Sequence, residues 1–312
     1  MKLSYQNQIL LTWRFKSIRK LFTRSFKYLQ SINSLMIELG VARKYHPNLV
    51  SFLETLKSNS ISLYEMGYAF SIPNELPKEV LDYANKNNIT LTGHLPFYIN
   101  FGNKNHVIKS TEYLKQGLEI AEHLKSISVF HLGFYSGRSF KEIKKDILFG
   151  FKKVFSESKS KNGFIGIETT GKQKAIGTYN EILELIKELK CYRVIPILDV
   201  AHMYARSNGL FPSTRNDFKQ ILNDLDKLSI SKLYFHAGGI EYSGGNEKKH
   251  IGIKKCEPPL AFLIEELELG GYDAQIIIES PTSIEDINWL RNNKKSFLEY
   301  TECQIIKNRK QN

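Results

Sequence analysis

The chain has 312 residues, 42% of them hydrophobic, which is enough to bury one large core or two smaller ones. Its three cysteines form no CxxC pair and are too few for a disulfide framework, so the sequence argues against secretion and predicts a reducing, cytoplasmic location. Of the formal net charge of +12, seven positive charges lie in residues 1–35 and three in residues 303–312, neither of which contains an acidic residue; the +2 left for residues 36–302 does not by itself indicate nucleic-acid binding.

Residues 1–35 are predicted to form a basic amphipathic N-terminal extension. Apolar residues repeat here at intervals of four and three, as along one face of a helix, with basic residues largely around them. Such a helix can bind a membrane or nucleic-acid surface, act as a targeting segment or pack under the rest of the chain. An alternative is that the protein begins at Met36. No apolar run approaches the roughly 20 residues of a membrane span, so no membrane-spanning segment is predicted, and nothing predicts a protein partner.

From residue 36 onward, short apolar runs alternate with amphipathic helical patterns. The predicted strands are 36–41, 61–66, 89–93, 127–130, 164–167, 194–198, 233–235 and 276–278. Ser139 with Glu142 and Thr178 with Glu181 form capping-box patterns that predict two of the helix starts. Eight strand–helix units predict an α/β fold, a (β/α)8 TIM barrel over residues 36–302, followed by a basic C-terminal tail at 303–312. An open doubly wound sheet is less favoured, because no GxGxxG follows the first strand.

Acidic or imidazole side chains follow six consecutive predicted strands. They are His94, His131, Glu168, Asp199 with His202, His236 and Glu279, and His250 lies in the loop after the seventh strand. Any one of them alone would more often be an ordinary hydrogen-bonded or ion-paired residue. The carboxyl ends of barrel strands meet at one mouth, however, so we expect these side chains to converge. The set suits Zn2+ or another divalent first-row ion such as Mn2+, and it exceeds the needs of one tetrahedral ion, which predicts two or three ions.

Around these residues the sequence resembles the endonuclease IV family of apurinic/apyrimidinic endonucleases, which belong to the xylose-isomerase-like barrels. The motifs that carry the resemblance are His94-Leu95-Pro96-Phe97-Tyr98-Ile99-Asn100, His131-Leu132-Gly133, Ile167-Glu168-Thr169, Leu198-Asp199-Val200-Ala201-His202 and Ile278-Glu279-Ser280-Pro281. The resemblance spans about residues 36–300. It implies a zinc-dependent endonuclease that hydrolyses the phosphodiester bond 5′ to abasic sites in double-stranded DNA, in base-excision repair.

The resemblance also implies a ligand set for three zinc ions. His94 and His131 would bind the first with Glu168, which would bridge to the second. Asp199, His236 and Glu279 would complete the second site, and His202 and His250 would belong to the third. Glu168 and Glu279 are then the candidate catalytic residues, which hold and orient the nucleophilic hydroxide.

The chain departs from the family after the seventh strand. Where the family has His-x-Asn-Asp, this chain has His236-Ala237-Gly238-Gly239, and Lys248 stands where the carboxylate of the third ion is expected. Glu247 or Glu241 are alternative sources of that carboxylate. The third ion is otherwise weak or absent, or Lys248 contacts a phosphate instead.

Basic and aromatic residues in the mouth loops are candidates for DNA binding. The predicted set is Arg43, Phe97, Tyr98, Arg206 and Lys248. Lysine and arginine in loops are most often simply solvated, but cations neutralise phosphates and aromatic rings stack on or wedge between bases. We predict that Phe97 and Tyr98 enter the duplex.

Two other functions use part of the same residues. Sugar isomerases and epimerases with this kind of barrel place a Glu, Asp, His and Glu around one metal, and Glu168, Asp199, His236 and Glu279 match that set as well. His94, His131 and His250 favour the multi-metal nuclease, because a one-metal isomerase does not need them as ligands. A metal-stabilised binding protein without catalysis is a third possibility, which depends on Lys248 alone.

Overall fold

The computed structural model describes residues 37–44, 48–230, 232–255 and 257–309. Within these residues, eight parallel strands close a barrel in chain order, the last pairing with the first. They are β1 (Ile37–Lys44), β2 (Leu63–Gly67), β3 (Thr90–His94), β4 (Ile127–Phe130), β5 (Phe164–Glu168), β6 (Val194–Asp199), β7 (Leu233–Ala237) and β10 (Ala274–Ile278). The predicted (β/α)8 barrel is confirmed, and the predicted extension at 1–35 lies outside the described residues.

Helices connect the barrel strands on the outside. They are α1 (Val50–Ser58), α2 (Lys78–Lys86), α3 (Val107–Leu124), α4 (Phe140–Glu157), α5 (Tyr179–Glu188), α6 (Val200–Arg206), α7 (Arg215–Lys227), α8 (Leu260–Gly270) and α9 (Ser283–Arg309). The capping boxes predicted before α4 and α5 are confirmed, and Thr214 with Asp217 forms a further one before α7. Helix α9 is kinked at Asn293 and continues through the backbone of 303–309. None of the helices in the described ranges is long and apolar enough to cross a membrane.

Two further strands, β8 (Gly239–Ser243) and β9 (Asn246–Ile251), form an antiparallel hairpin outside the barrel. The hairpin follows β7 and precedes α8, so it belongs to the loop at the carboxyl end of β7. The sequence did not predict it. Its strands are mostly polar, and the apolar runs used to place the barrel strands are missing from it.

The barrel interior has an apolar layer with a polar layer next to it. The apolar layer consists of Leu63, Ile127, Val129, Ile195, Ile197, Tyr234 and Ile277. Residues two positions apart on a strand face the same way. Tyr234 therefore precedes His236 on the inner face of β7, and Ile197 precedes Asp199 on that of β6. The acidic and imidazole side chains therefore lie at the carboxyl end of the barrel, next to the apolar layer.

Candidate metal centre

Glu168, at the end of β5, lies at the centre of four imidazoles and is fully buried. Its Oε2 atom is 2.9 Å from His94 Nε2 and 2.7 Å from His131 Nε2. Its Oε1 atom is 3.1 Å from His236 Nδ1 and 3.3 Å from His202 Nδ1. Oε2 thus faces two candidate ligand nitrogens, those of His94 and His131, and Oε1 faces another, that of His236, which is the position of a bridging ligand.

The remaining predicted ligands complete the cluster. Glu279 Oε1 is 3.2 Å from His236 Nδ1, and Glu279 Oε2 is 3.5 Å from His250 Nε2. Among the described residues, three groups have ligand atoms within 4.8 Å of one another: His94, His131 and Glu168; Glu168, Asp199, His236 and Glu279; and Asp199, His202, His250 and Glu279. All eight predicted ligands therefore meet at the mouth, and the first two groups coincide with the first two implied ion sites.

Hydrogen bonds on the outer side of the rings select which nitrogen faces the cluster. Nδ1 of His94 is 3.0 Å from the carbonyl oxygen of Leu95, and Nδ1 of His202 is 3.0 Å from that of Thr169. A carbonyl oxygen only accepts, so each Nδ1 carries a hydrogen and each Nε2 of the neutral ring carries a lone pair. The lone pair of His94 Nε2 then faces Glu168 Oε2, an arrangement that needs a proton or a cation between the two atoms. These outer-partner hydrogen bonds are typical of metal-binding histidines.

Glu65 is a site residue that was not predicted from the sequence. It lies on β2 with no exposed surface, and its Oε2 atom is 3.1 Å from His236 Nε2 and accepts a hydrogen bond of 2.9 Å from Tyr234 Oη. Tyr234 Oη is in turn 2.9 Å from Thr92 Oγ1. His236 Nε2–H therefore donates to Glu65, which leaves Nδ1 for Glu168 and Glu279. A carboxylate inside a predicted apolar strand was the available signal, because an unpaired buried charge is costly.

The electrostatics of the cluster fit the binding of cations. Burial opposes ionisation of an imidazole, but the hydrogen bond and charge of Glu168 raise the pKa of His94 to about 9. Burial likewise opposes the charge on Glu168 and on Glu279, yet nearby imidazoles hold the pKa of both carboxyl groups below the ordinary value. The carboxylates thus stabilise positive charge at the mouth, whether protons or metal ions carry it.

Asp199 shows whether the buried side chains of the cluster suit a metal ion. Its Oδ1 atom caps α6 by accepting a hydrogen bond of 2.8 Å from His202 N. Its Oδ2 atom is buried and lies 3.3 Å from His202 Nδ1, but it accepts no hydrogen bond from the described part of the chain, and burial raises the pKa of this carboxyl group. A buried carboxylate oxygen that accepts no hydrogen bond and lies among imidazoles fits a divalent ion that prefers nitrogen and oxygen ligands.

The hairpin contributes His250 and Glu247 to the mouth. Glu247 Oε2 is 3.0 Å from His202 Nε2; burial opposes the charge, but this contact lowers the pKa of Glu247 to about 2. Lys248, by contrast, is exposed, and Glu241 pairs with Lys249 at 3.3 Å. Of the two glutamates considered as replacements for the third-ion carboxylate, Glu247 is therefore the one that contacts a predicted ligand.

The predicted DNA-binding residues differ in how free their side chains are. Phe97 is 71% exposed, and Arg43 is exposed with its guanidinium 4.7 Å from the ring centroid of Phe52. Tyr98 instead donates a hydrogen bond to the carbonyl oxygen of Phe70 and packs edge-on against Tyr113. Its ring supports the loop after β3, so Phe97 is the aromatic side chain of this pair that is available to a ligand.

Arg206 is bound to the loop after β5. Its guanidinium donates to the carbonyl oxygens of Lys172 at 2.6 Å and Ala175 at 2.8 Å, and to Thr170 Oγ1 at 2.9 Å. All three bonds come from Nη1, and Nη2 donates to the carbonyl oxygen of Gln173 at 3.3 Å, so Arg206 holds this loop in place.

A cavity of about 690 Å3 opens at the mouth. Its lining includes the predicted ligands His94, His131, His250 and Glu279 together with Arg43, Phe97, Phe134 and Lys172. Phe134, which is 46% exposed, was not predicted as a site residue. Its exposure beside the candidate ligands was not visible in the sequence, because an isolated loop phenylalanine carries no periodic signal.

Comparison with known protein families identifies the family of the chain. Residues 51–295 match the family model of the xylose isomerase-like TIM barrel. The chain belongs to this family. Its relatives include an uncharacterised protein of Methanocaldococcus jannaschii, 32% identical over 216 residues, which cover 64% of this chain and 77% of the relative. A probable endonuclease 4 of Mycoplasmopsis pulmonis is 27% identical over 168 residues, 52% of this chain and 59% of the relative.

The solved structures that superpose on this chain include an endonuclease and an epimerase that acts on a sugar derivative. Endonuclease IV from Thermus thermophilus superposes with a TM-score of 0.60 at 17% identity, covering 84% of this chain and 99% of that one. The 3-keto-D-glucoside 4-epimerase of E. coli superposes with a TM-score of 0.61 at 14% identity, covering 82% and 100%. At these identities the likeness concerns the fold, so the function has to be argued from the site.

Proposed function

We propose that the chain is a zinc-dependent endonuclease that hydrolyses the phosphodiester bond 5′ to abasic sites in double-stranded DNA, as in base-excision repair of the endonuclease IV type. The observation that carries the proposal is the convergence of His94 and His131 on one oxygen of Glu168, at 2.9 and 2.7 Å. These imidazoles are additional to the group of Glu168, Asp199, His236 and Glu279. A one-metal enzyme has no use for them as ligands, whereas a phosphodiesterase with a bridged cluster does.

Each ion site draws on the residues already described. His94, His131 and Glu168 would hold the first ion, and Glu168, Asp199, His236 and Glu279 the second. When bound, the ions would lower the pKa of a water nucleophile and stabilise the charge that develops on the phosphate. Glu168 and Glu279 would orient the nucleophile, since their oxygens lie among the ligand nitrogens.

The mouth around the cluster offers groups that suit a damaged duplex. Phe97 is exposed beside the cavity and can stack on or replace a base, and Arg43 and Lys172 line the same cavity and can neutralise phosphates. An abasic nucleotide is cheap to extrude because it has no base to unstack.

One observation favours a second candidate, a sugar isomerase or epimerase. Glu168, Asp199, His236 and Glu279 form a complete group by themselves, which is sufficient to hold one ion. Carboxylates beside a metal can move a proton next to a carbonyl.

The deciding experiment uses the full chain, loaded with zinc, and a duplex that carries a single synthetic abasic site. We expect a single cut on the 5′ side of that site, none in the intact duplex, and loss of cleavage in Glu168→Gln. Glu241→Gln, on the outer face of the hairpin, is the matched control and should cut normally. An absence of cleavage together with interconversion of an aldose and a ketose would contradict the proposed endonuclease and support the sugar isomerase or epimerase.

A further inference from the structure

We propose that Glu247 is a metal ligand, which forms a third cation site together with His202 and His250. The inference rests on the metal-dependent hydrolase proposed above, and it concerns a residue that the family pattern does not supply. The pattern calls for a carboxylate two positions before His250, where this chain has Lys248. The hairpin provides the carboxylate from the preceding position instead.

A β-bulge makes this substitution geometrically possible. In a regular strand, residues three positions apart, such as Glu247 and His250, point to opposite faces. In the hairpin, Tyr242 pairs with Glu247 and Glu241 pairs with Lys249, so Lys248 is an extra residue without a partner opposite it. The extra residue shifts the alternation by one, and Glu247 and His250 point to the same face.

The side-chain contacts agree with this geometry. Glu247 Oε2 lies 3.0 Å from His202 Nε2, and His250 Nε2 lies 3.3 Å from the same nitrogen. Zinc with tetrahedral ligands about 2.0–2.1 Å away has ligand atoms about 3.3 Å apart. On the opposite face of the strand, Lys249 pairs with Glu241.

The protonation of His202 leaves the correct atom for an ion. Its Nδ1 atom lies 3.0 Å from the carbonyl oxygen of Thr169 and so carries the hydrogen of the neutral ring. Nε2 then presents a lone pair to Glu247 and His250. His202 Nε2 thus lies between a carboxylate oxygen and a second imidazole nitrogen, and divalent zinc suits two imidazoles and a carboxylate.

The loop after β5 is shaped to admit Glu247. The amide of Glu247 donates a hydrogen bond of 2.8 Å to the carbonyl oxygen of Gly171. A Cβ atom at Gly171 would lie 2.1 Å from Glu247 Oε2, so a residue with a side chain would displace the carboxylate. Lys172 Nζ lies 3.4 Å from the other oxygen, Oε1, which leaves Oε2 directed at the imidazoles.

The test counts zinc ions per chain. Wild type, Glu247→Gln, Lys248→Ala and Glu241→Gln are stripped of metal, dialysed against buffered free zinc and analysed by inductively coupled plasma mass spectrometry. We expect three ions in wild type and in the two control variants, and two in Glu247→Gln. The affinity for the last ion should fall at least tenfold, since loss of an outer partner of a ligand already costs about 10–100-fold. The two retained ions also show that the variant is folded.

A second variant reaches the same carboxylate from another side. Gly171→Ala leaves Glu247 in the sequence but forces Oε2 away, so it should also bind two ions. Equal zinc content in wild type and Glu247→Gln would overturn the proposal, whether that content is two or three. The result is separate from the cleavage assay: a wild type that binds three ions but does not cut DNA refutes the proposed function while supporting Glu247 as a ligand.

Discussion

Glu65 Oε2 lies 3.1 Å from His236 Nε2 inside the barrel, although the two residues are 171 positions apart. Replacing Glu65 with Leu leaves Nε2–H of His236 and the hydroxyl of Tyr234 buried without this acceptor, which costs about 1–3 kcal/mol per group. Because the ring of His236 also loses its fixed tautomer, we expect zinc affinity to fall about 10–100-fold. Chelator competition measures this affinity. Glu65→Gln, which keeps an acceptor oxygen, should recover part of it, and equal losses in both variants would contradict the role assigned to the hydrogen bond.

Phe97 and Tyr98 are neighbours with different expected roles. Phe97→Ala should weaken binding to an abasic duplex by about 1–3 kcal/mol, the usual value of one aromatic ring stacked on a base, without changing thermal stability. Tyr98→Phe removes the hydrogen bond to the carbonyl of Phe70 and should lower stability while leaving DNA affinity unchanged. Fluorescence anisotropy with a labelled duplex, beside thermal unfolding, separates the two effects. Equal losses of affinity in the two variants would show that Tyr98 also reaches the DNA.

Arg43 and Arg206 are expected to differ in their response to salt. Each phosphate contact adds about 0.9 to the slope of log affinity against log salt concentration on duplex DNA. Arg43→Ala should reduce this slope by about 1, because its guanidinium lines the mouth cavity. Arg206→Ala should keep the slope and instead lower stability, since its donors bind the loop carbonyls of Lys172 and Ala175. A reduced slope in Arg206→Ala would mean that the loop opens to release this side chain to DNA.

Removal of metal should destabilise the whole barrel. A ligand that binds only the folded state adds about 2.7 kcal/mol of stability at a concentration one hundred times its dissociation constant. Zinc should therefore raise the midpoint of thermal unfolding of wild type, and Glu168→Gln should respond much less, because Glu168 belongs to two of the three ligand groups. Calorimetry with and without a chelator measures the difference. An equal response of both proteins would place the bound zinc elsewhere.

Glu122 provides a pH-dependent contribution to stability away from the mouth. Its carboxylate accepts hydrogen bonds from the amides of Lys161, Asn162 and Gly163, at 2.8, 2.6 and 2.8 Å. The bond from Asn162, followed by those from Gly163 and Ser160, lowers the pKa of Glu122 to about 2 against the opposing effect of burial. The folded state therefore binds this proton less readily than the unfolded state, so the contribution is present above about pH 4.5 and is lost as the pH falls towards 2.

Glu122→Gln should consequently lower the free energy of unfolding at pH 7 by about 1 kcal/mol, the usual net value of a hydrogen bond. The difference from wild type should shrink at pH 3. Glu119→Gln, an exposed glutamate on the same helix, is the control and should change little at either pH. Denaturant unfolding at the two pH values checks the sign, and a gap that widens in acid would be inconsistent with a lowered pKa.

The barrel and most of its candidate ligands could be predicted because both follow from strand ends. Parallel strands bring their carboxyl ends together. The positions of Glu168, Asp199 and Glu279 at strand ends therefore predict one shared site, even when no distances are known. Glu65 was not predicted because it lies within β2, and the prediction of ligands considered only residues at the ends of strands. Its burial was nevertheless a problem that the sequence posed, since a charge in an apolar run requires a partner.

The predictions for Tyr98 and Arg206 show where sequence reasoning stops. Whether a loop side chain faces solvent or its own backbone depends on the path of the loop, and spacing gives no information on that path. The hairpin could have been predicted, because Gly244-Gly245 is a turn pattern that joins two strands. The register of the hairpin could not have been predicted, since the sequence of a polar strand does not indicate a bulge.

Lys248 is the residue that the bulge of β9 accommodates. Deleting it would restore a regular ladder and place Glu247 two positions before His250, where the two side chains still point to the same face. The strand therefore tolerates one inserted residue here, because the bulge keeps Glu247 on the face of His250. A position-by-position comparison with the family pattern that ignores this inserted residue pairs the expected carboxylate with Lys248 and overlooks Glu247.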